Sequence, residues 1–149
     1  MKKSILFFFI TLISISCNKK TSQSTPPKIT FYTLSTNYFP SGYGQAKVSI
    51  FFNVFDKEGD IGFNEENIYL VDSRTPNDTQ KYVSPNVPAN ENTSLKALFE
   101  TQIEGGFLIA RKDSPIHYKT DTLFWTISIK DKAGNRSNFI KTSDLILYH

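Results

Sequence analysis

Gln45-Ala46-Lys47-Val48-Ser49-Ile50-Phe51-Phe52-Asn53-Val54-Phe55 alternates along its length, with Val48, Ile50, Phe52 and Val54 on one side and Ser49, Phe51, Asn53 and Phe55 on the other. Successive side chains of an extended chain point to opposite faces, so the stretch predicts a strand with one buried face. Burying that face contributes about 1.5–3 kcal/mol per large side chain. Phe51 and Phe55 predict partial cover on the second face as well. No other stretch carries an apolar period long enough for an amphipathic helix, and 13 Phe and 7 Tyr beside a single Met favour strands.

Toward the N-terminus, Ile29, Phe31 and Thr33 alternate with Thr30, Tyr32 and Leu34 as a first strand, and Pro40-Ser41-Gly42-Tyr43-Gly44 ends the pattern. Toward the C-terminus, Asp56 to Gly62 reads as a loop and Asn67 to Asp72 as the third strand. Ser73 to Thr93 is a long polar connection containing Pro76, Pro85 and Pro88, with at most a short extended piece at Lys81-Tyr82-Val83. Leu95, Ala97, Phe99, Thr101 and Ile103 mark a fourth strand. Glu104-Gly105-Gly106 predicts a tight hairpin, its glycines supplying positive φ, into a short fifth strand at 107–110. Thr120 to Lys130 alternates as the sixth, with Leu123, Trp125, Ile127 and Ile129 on its apolar face. Asp131 to Asn135 turns, and Ser137 to Tyr148 returns as the seventh, bent near Ser143-Asp144. Seven short strands at this spacing predict an all-β fold, an antiparallel β-sandwich in one domain over residues 29–149.

The chain opens differently. Met1-Lys2-Lys3 is followed by an almost unbroken apolar run from Ile5 to Ile15, then Ser16 and the only cysteine, Cys17. A positive tip, a short apolar run and small residues form the layout of a secretory signal. About eleven apolar residues fall well short of the roughly twenty needed to cross a bilayer as a helix. Residues 1–16 are therefore expected to be cleaved. Of the 17 basic residues, Lys2 and Lys3 leave with that signal, so 15 face 14 acidic residues and nothing points to nucleic acid as a partner. One cysteine excludes a disulfide framework within the chain. Residues 18–28, polar and closing on Pro26-Pro27, read as a flexible tether.

The start of the chain resembles a bacterial lipoprotein of the Bacteroidetes type, with Ser14-Ile15-Ser16-Cys17 as its lipobox, although Ser14 stands where that pattern has Leu. The resemblance implies that Cys17 is acylated and holds the protein in a membrane. Asn18-Lys19-Lys20 lacks the acidic cluster associated with export to the cell exterior, which implies the periplasmic face of the outer membrane. Asp56-Lys57-Glu58-Gly59-Asp60-Ile61-Gly62 resembles a segment that follows a strand in such lipoproteins. Asp131-Lys132-Ala133-Gly134-Asn135-Arg136-Ser137-Asn138 is similar to the turn before the last strand of bacterial immunoglobulin-like and fibronectin-type-III-like domains. An immunoglobulin-like sandwich of about seven strands is the fold this implies.

If seven strands alternate in direction, loop 56–66, turn 104–106 and turn 131–136 gather at one end. That would bring together Asp56, Glu58, Asp60, Glu104 and Asp131, with Asn135 beside them. Crowded carboxylates repel, and Ca²⁺, which takes six to eight oxygens, would relieve that. Asp, Asn and Gly are equally the residues of ordinary tight turns. The EF-hand pattern is not met, because Ile61 stands where it has Gly and Asn67 where it has a bidentate Glu. Tyr38, Phe39 and Tyr43 form either an aromatic ligand patch or a buried end of the sandwich. Trp125 is expected in the core, and His117 and His149 have no partners at metal spacing.

No nucleophile elbow, metalloprotease helix, phosphate loop or dinucleotide fingerprint occurs. The expectation is a lipid-anchored cell-envelope protein with a non-enzymatic binding or structural domain. Alternatives are an accessory of an outer-membrane uptake system that holds glycan or peptide, and a small carboxylate-dependent hydrolase using Asp56 and Asp131. Partners would be the membrane, through the lipid, and an envelope protein or glycan.

Overall fold

The computed structural model describes residues 24–62, 65–85, 93–110 and 120–148. Cys17, most of the expected tether, His117 and His149 lie outside them. The described chain is all-β: β1 (Lys28–Leu34), β2 (Tyr38–Pro40), β3 (Lys47–Asp56), β4 (Glu66–Asp72), β5 (Thr79–Val83), β6 (Leu95–Glu104), β7 (Thr120–Leu123), β8 (Trp125–Ile129), β9 (Ile140–Lys141) and β10 (Leu145–Tyr148), with one 3-10 turn at Gly105–Phe107. They form three sheets, ordered β1-β3-β6, β2-β10-β7 and β5-β4-β8-β9.

The stretch from Gln45 behaves as its alternation dictates. Val48, Ile50, Phe52 and Val54 are at most 2% exposed, and Phe52 meets Phe99 of β6 edge to face at 5.9 Å. Trp125, Ile127 and Leu123 join them, so the inward faces of all three sheets share one core. On the outer face Phe55 is half-covered, with Lys96 Nζ lying 5.7 Å over its ring.

Five strand assignments differ from the sequence reading. Tyr38–Pro40, read as part of the first loop, is a short strand, β2, parallel to β10, and 137–148, read as one bent strand, divides into β9 and β10 of different sheets. The extended piece near Lys81 is a full strand, β5, paired antiparallel with β4. Residues 107–110 are not a strand but leave the 3-10 turn, and neither Gly105 nor Gly106 has positive φ. The stretch 120–130 is not one strand: it breaks at Phe124, with β7 pairing β10 and β8 pairing β4 and β9. The break is fixed by side chains. Ser73 Oγ accepts Phe124 N–H at 3.1 Å, and Thr142 Oγ1 accepts Trp125 N–H at 3.0 Å, drawing the chain from one sheet to the next.

These differences move one predicted loop. Adding β5 reverses the direction of β6, so β6 runs antiparallel to β3 with Glu104 opposite Lys47. Glu104 therefore sits at the far end from Asp56, in an exposed ion pair with Lys47 Nζ at 2.8 Å. Losing the strand at 107–110 reverses the sense again. Asp131 consequently stays at the predicted end.

Asn138 closes the open side of β1. Its Oδ1 accepts Ile29 N–H and its Nδ2 donates to Ile29 O, both at 2.9 Å, as a neighbouring strand would. That removes two unpaired groups from a sheet edge.

Candidate functional site

The acidic end of the molecule is built where β3 stops. Asp56, wholly buried, ends the strand, and its Oδ2 accepts Asp60 N–H at 2.7 Å, folding the chain over Gly59, whose φ of 66° suits only glycine. Asp60 O then accepts Lys132 N–H at 3.1 Å, and Ile61 forms an antiparallel bridge with Asp131. Loop 56–62 and turn 131–136 thus come together, as expected.

The predicted residues divide into two groups. Asp131 Oδ1 accepts Asn135 N–H at 2.7 Å, while its Oδ2 takes Asn135 Nδ2 at 2.8 Å and Ser24 Oγ at 3.4 Å. Both of its oxygens are engaged, and with Gly134 at φ 88° the two residues make a hydrogen-bonded turn. Asp56 Oδ1, Glu58 Oε2 and Asp60 Oδ1 are different: each is buried and has no hydrogen-bond partner. Burial pushes the Asp56 carboxyl up from 3.8 to about 6. The facing Asp60 carboxylate adds to that rise, against the backbone N–H groups of Asp60 and Glu58, which pull it down.

The described part of the expected tether is docked here. Thr25 Oγ1 donates to Glu58 Oε1 at 3.1 Å, Ser24 O accepts Asn135 Nδ2 at 3.4 Å, and Pro27 is buried. A tether running to Lys28 is therefore too long. The chain already lies on the domain at Ser24.

The aromatic trio splits. Phe39 is core at 3% exposure, leaving only Tyr38 and Tyr43 on the surface. They stand at the opposite end, where Gly42 N–H donates to Leu108 O at 2.9 Å and Ser41 N–H to Tyr148 O at 2.7 Å. Phe107, Ile109 and Tyr148 join them, and the five side chains are between 43% and 67% exposed. Sequence reading missed Phe107 and Ile109 in this rim because it placed both on a strand. Sequence reading places Arg136 at the acidic end as partial charge compensation but misses its stacking: the guanidinium lies 4.5 Å over the Tyr69 ring and 5.9 Å from that of Phe139. No local pattern marks that stacking, since Tyr69 is distant in sequence.

Comparison with known proteins returned no match: no family model, no curated protein and no solved structure is similar to this chain.

The Asp56 environment gives a pH dependence of unusual sign. A carboxyl whose folded pKa lies above its unfolded value favours folding when protonated, and that advantage is lost as pH rises through the folded pKa. In EDTA, the parent should therefore lose stability relative to Asp56→Asn between roughly pH 4 and 7, by at most about 3 kcal/mol at about 1.4 kcal/mol per pH unit. Urea denaturation of both proteins at the two pH values measures it. A difference that is flat, or that grows the other way, would show Asp56 to be ionised without penalty.

Proposed function

We propose that this chain is a lipid-anchored protein of a bacterial cell envelope whose β domain is a non-enzymatic binding or structural module of immunoglobulin-like type. The observation that carries the reading is the polarity of the domain. The chain reaches it at the acidic end, through Ser24 and Thr25, whereas Tyr38, Tyr43, Phe107, Ile109 and Tyr148 gather at the other. A lipid on Cys17 would hold the acidic end toward the membrane and turn the aromatic rim away from it. Aromatic side chains combine large apolar area with polar tips, which suits a contact surface.

Strand pairing supports the immunoglobulin-like reading. β3 pairs with β1 and β6, β4 pairs with β5 and β8, and β2 switches to pair in parallel with the last strand, β10. That two-sided arrangement suits such a sandwich. Asp131 argues against the hydrolase alternative, because both its oxygens are held by Asn135 and Ser24.

The test is lipid attachment in a bacterial host. The parent should incorporate radiolabelled palmitate and sediment with membranes, and Cys17→Ala should lose both properties. Two acyl chains, at about 0.8 kcal/mol per buried methylene, make the difference all-or-none. An unlabelled parent, or a Cys17→Ala protein still held in the membrane, would overturn the reading.

A further inference from the structure

The edge of a sheet leaves a row of backbone N–H and C=O groups unpaired, and folded chains blunt such edges with short strands, proline, bulges or covering groups. Among the described residues five of the six sheet edges are blunted in this way. β2 has three residues and ends on Pro40, β7 has four, β5 five and β9 two. β1 shifts register between Phe31 and Thr33 and is capped by Asn138. β6 is the exception. It runs ten residues without proline, in unbroken register with β3 from Glu104 opposite Lys47 to Leu95 opposite Asp56. Among the described residues no strand pairs with its other side.

Lys96, Leu98, Glu100, Gln102 and Glu104 form the outward face of β6, all exposed. Leu98 is 52% exposed and lines an open cavity of about 400 Å³ with Asn53, Val54, Phe55, Lys96 and Ala97. On the inward face Leu95 and Ala97 pack against the core yet stay only partly buried, as residues at an open edge do. Among the described residues Lys96 has no carboxylate within ion-pair distance. Glu100 Oε1 accepts Gln102 Nε2 at 3.0 Å and Ser49 Oγ at 2.6 Å, bonds that hold the carboxyl below its ordinary pKa and keep it charged.

We propose that β6 pairs antiparallel with β6 of a second copy about a two-fold axis at Leu98, joining two three-stranded sheets into one of six strands. An axis perpendicular to the sheet keeps the outward residues of both copies on one side, so outward residues meet only outward ones. That leaves few registers. Centring the axis on Ala97 or Phe99 would set Leu98 against a charge, Lys96 or Glu100, and centring it on Glu100 would set two carboxylates face to face. Centring it on Leu98 puts Leu98 against the partner's Leu98 and Lys96 against the partner's Glu100, so opposite charges meet twice. On the inward face Ala97 meets the partner's Phe99 and Leu95 the partner's Thr101, which covers the two half-buried core residues. The axis lies three residues from the acidic end of β6 and six from its other end. The acidic ends therefore overlap at the middle of the dimer and the aromatic rims point outward at its two ends. Both chains leave toward Cys17 from that middle, so two lipid anchors fit one membrane.

The test uses the purified full-length protein in detergent. Sedimentation equilibrium should show a monomer–dimer equilibrium for the parent. Lys96→Glu and Glu100→Lys should each weaken it about tenfold or more, because the two-fold axis turns one substitution into two like-charged pairs. Combining them restores opposite charges, so the double variant should regain the parent's dimer. Both positions are exposed, and all three variants should melt within a few degrees of the parent, which separates lost pairing from lost folding. On oxidation Leu98→Cys should cross-link to its counterpart, since Cα atoms facing each other across an antiparallel pair stand about 4.5–5.5 Å apart, within disulfide reach. Gln102→Cys, on the same face but about 27 Å from its counterpart, should not. A parent that sediments as a monomer throughout would overturn the proposal and leave the edge to a strand of a different protein. Failure of the double variant to recover, or equal cross-linking of Leu98→Cys and Gln102→Cys, would overturn it as well.

Discussion

Gly105→Ala is expected to cost about 3 kcal/mol or more, a large part of the 5–15 kcal/mol that holds a typical domain folded. A Cβ at this position would stand 2.1 Å from Tyr43 O, 2.7 Å from Ala46 O and 2.9 Å from Phe39 Cζ. Two of those atoms are main chain and cannot rotate away. Ala46 O also accepts Gly105 N–H at 2.8 Å, so relieving the clash breaks the bond that seats the 3-10 turn on the entry to β3. The cause is close approach, because φ at Gly105 is not positive. Gly106 provides the control: an added Cβ there meets nothing within 4 Å, and Gly106→Ala should be near neutral. Urea denaturation of the two variants decides it, and equal midpoints would show that the loops part without cost.

Arg74→Met should lose about 3–5 kcal/mol, the cost of leaving a buried charge without its partner. The guanidinium forks onto Asp72, with Nε 3.1 Å from Oδ1 and Nη2 2.7 Å from Oδ2. Its Nη1 reaches Asp121 Oδ2 at 3.2 Å and Ile109 O at 2.8 Å. One side chain thus ties the end of β4 to β7 and to the segment after the 3-10 turn, buckling two sheets together. Burial by itself would lower the Arg74 pKa, but the hydrogen bonds and charges of Asp72, and then Asp121, outweigh it and hold it above its ordinary value. Lysine cannot reproduce the fork, so Arg74→Lys should recover little. Removing both charges in Asp72→Asn with Arg74→Met should cost less than Arg74→Met alone, because no carboxylate is then stranded at Asp72. A double variant as unstable as the sum of its parts would remove the buckle from the account.

The acidic end shows how a correct placement can rest on two compensating errors. Overlooking β5 reversed every later strand, and counting 107–110 as a strand reversed them back before Asp131. Glu104 lay between the two errors and was misplaced by the length of the sheet. Sequence marks only a short extended piece at Lys81-Tyr82-Val83, because Thr79–Val83 has no buried face, as suits a strand at the edge of its sheet. Arg74 went unremarked for a different reason. Its partners Asp121 and Ile109 are far along the chain, and no local spacing announces a three-way ion pair.

The sequence by itself determined the strand faces. Alternation in β3, β6 and β8 assigns Phe52, Phe99 and Trp125 to the core, because a pleated chain has only two sides and water rejects one of them. It also located the turns at Gly59 and Gly134, whose conformations glycine alone adopts freely. Only the tertiary structure decided which strand ends meet, where one stretch changes sheets at Phe124, and which carboxylates have their oxygens occupied. Those outcomes depend on Ser24, Ser73 and Thr142 arriving from elsewhere in the chain. A hydrogen bond acts over about 3 Å, so whether a buried oxygen is satisfied is settled only when distant segments are packed to that distance.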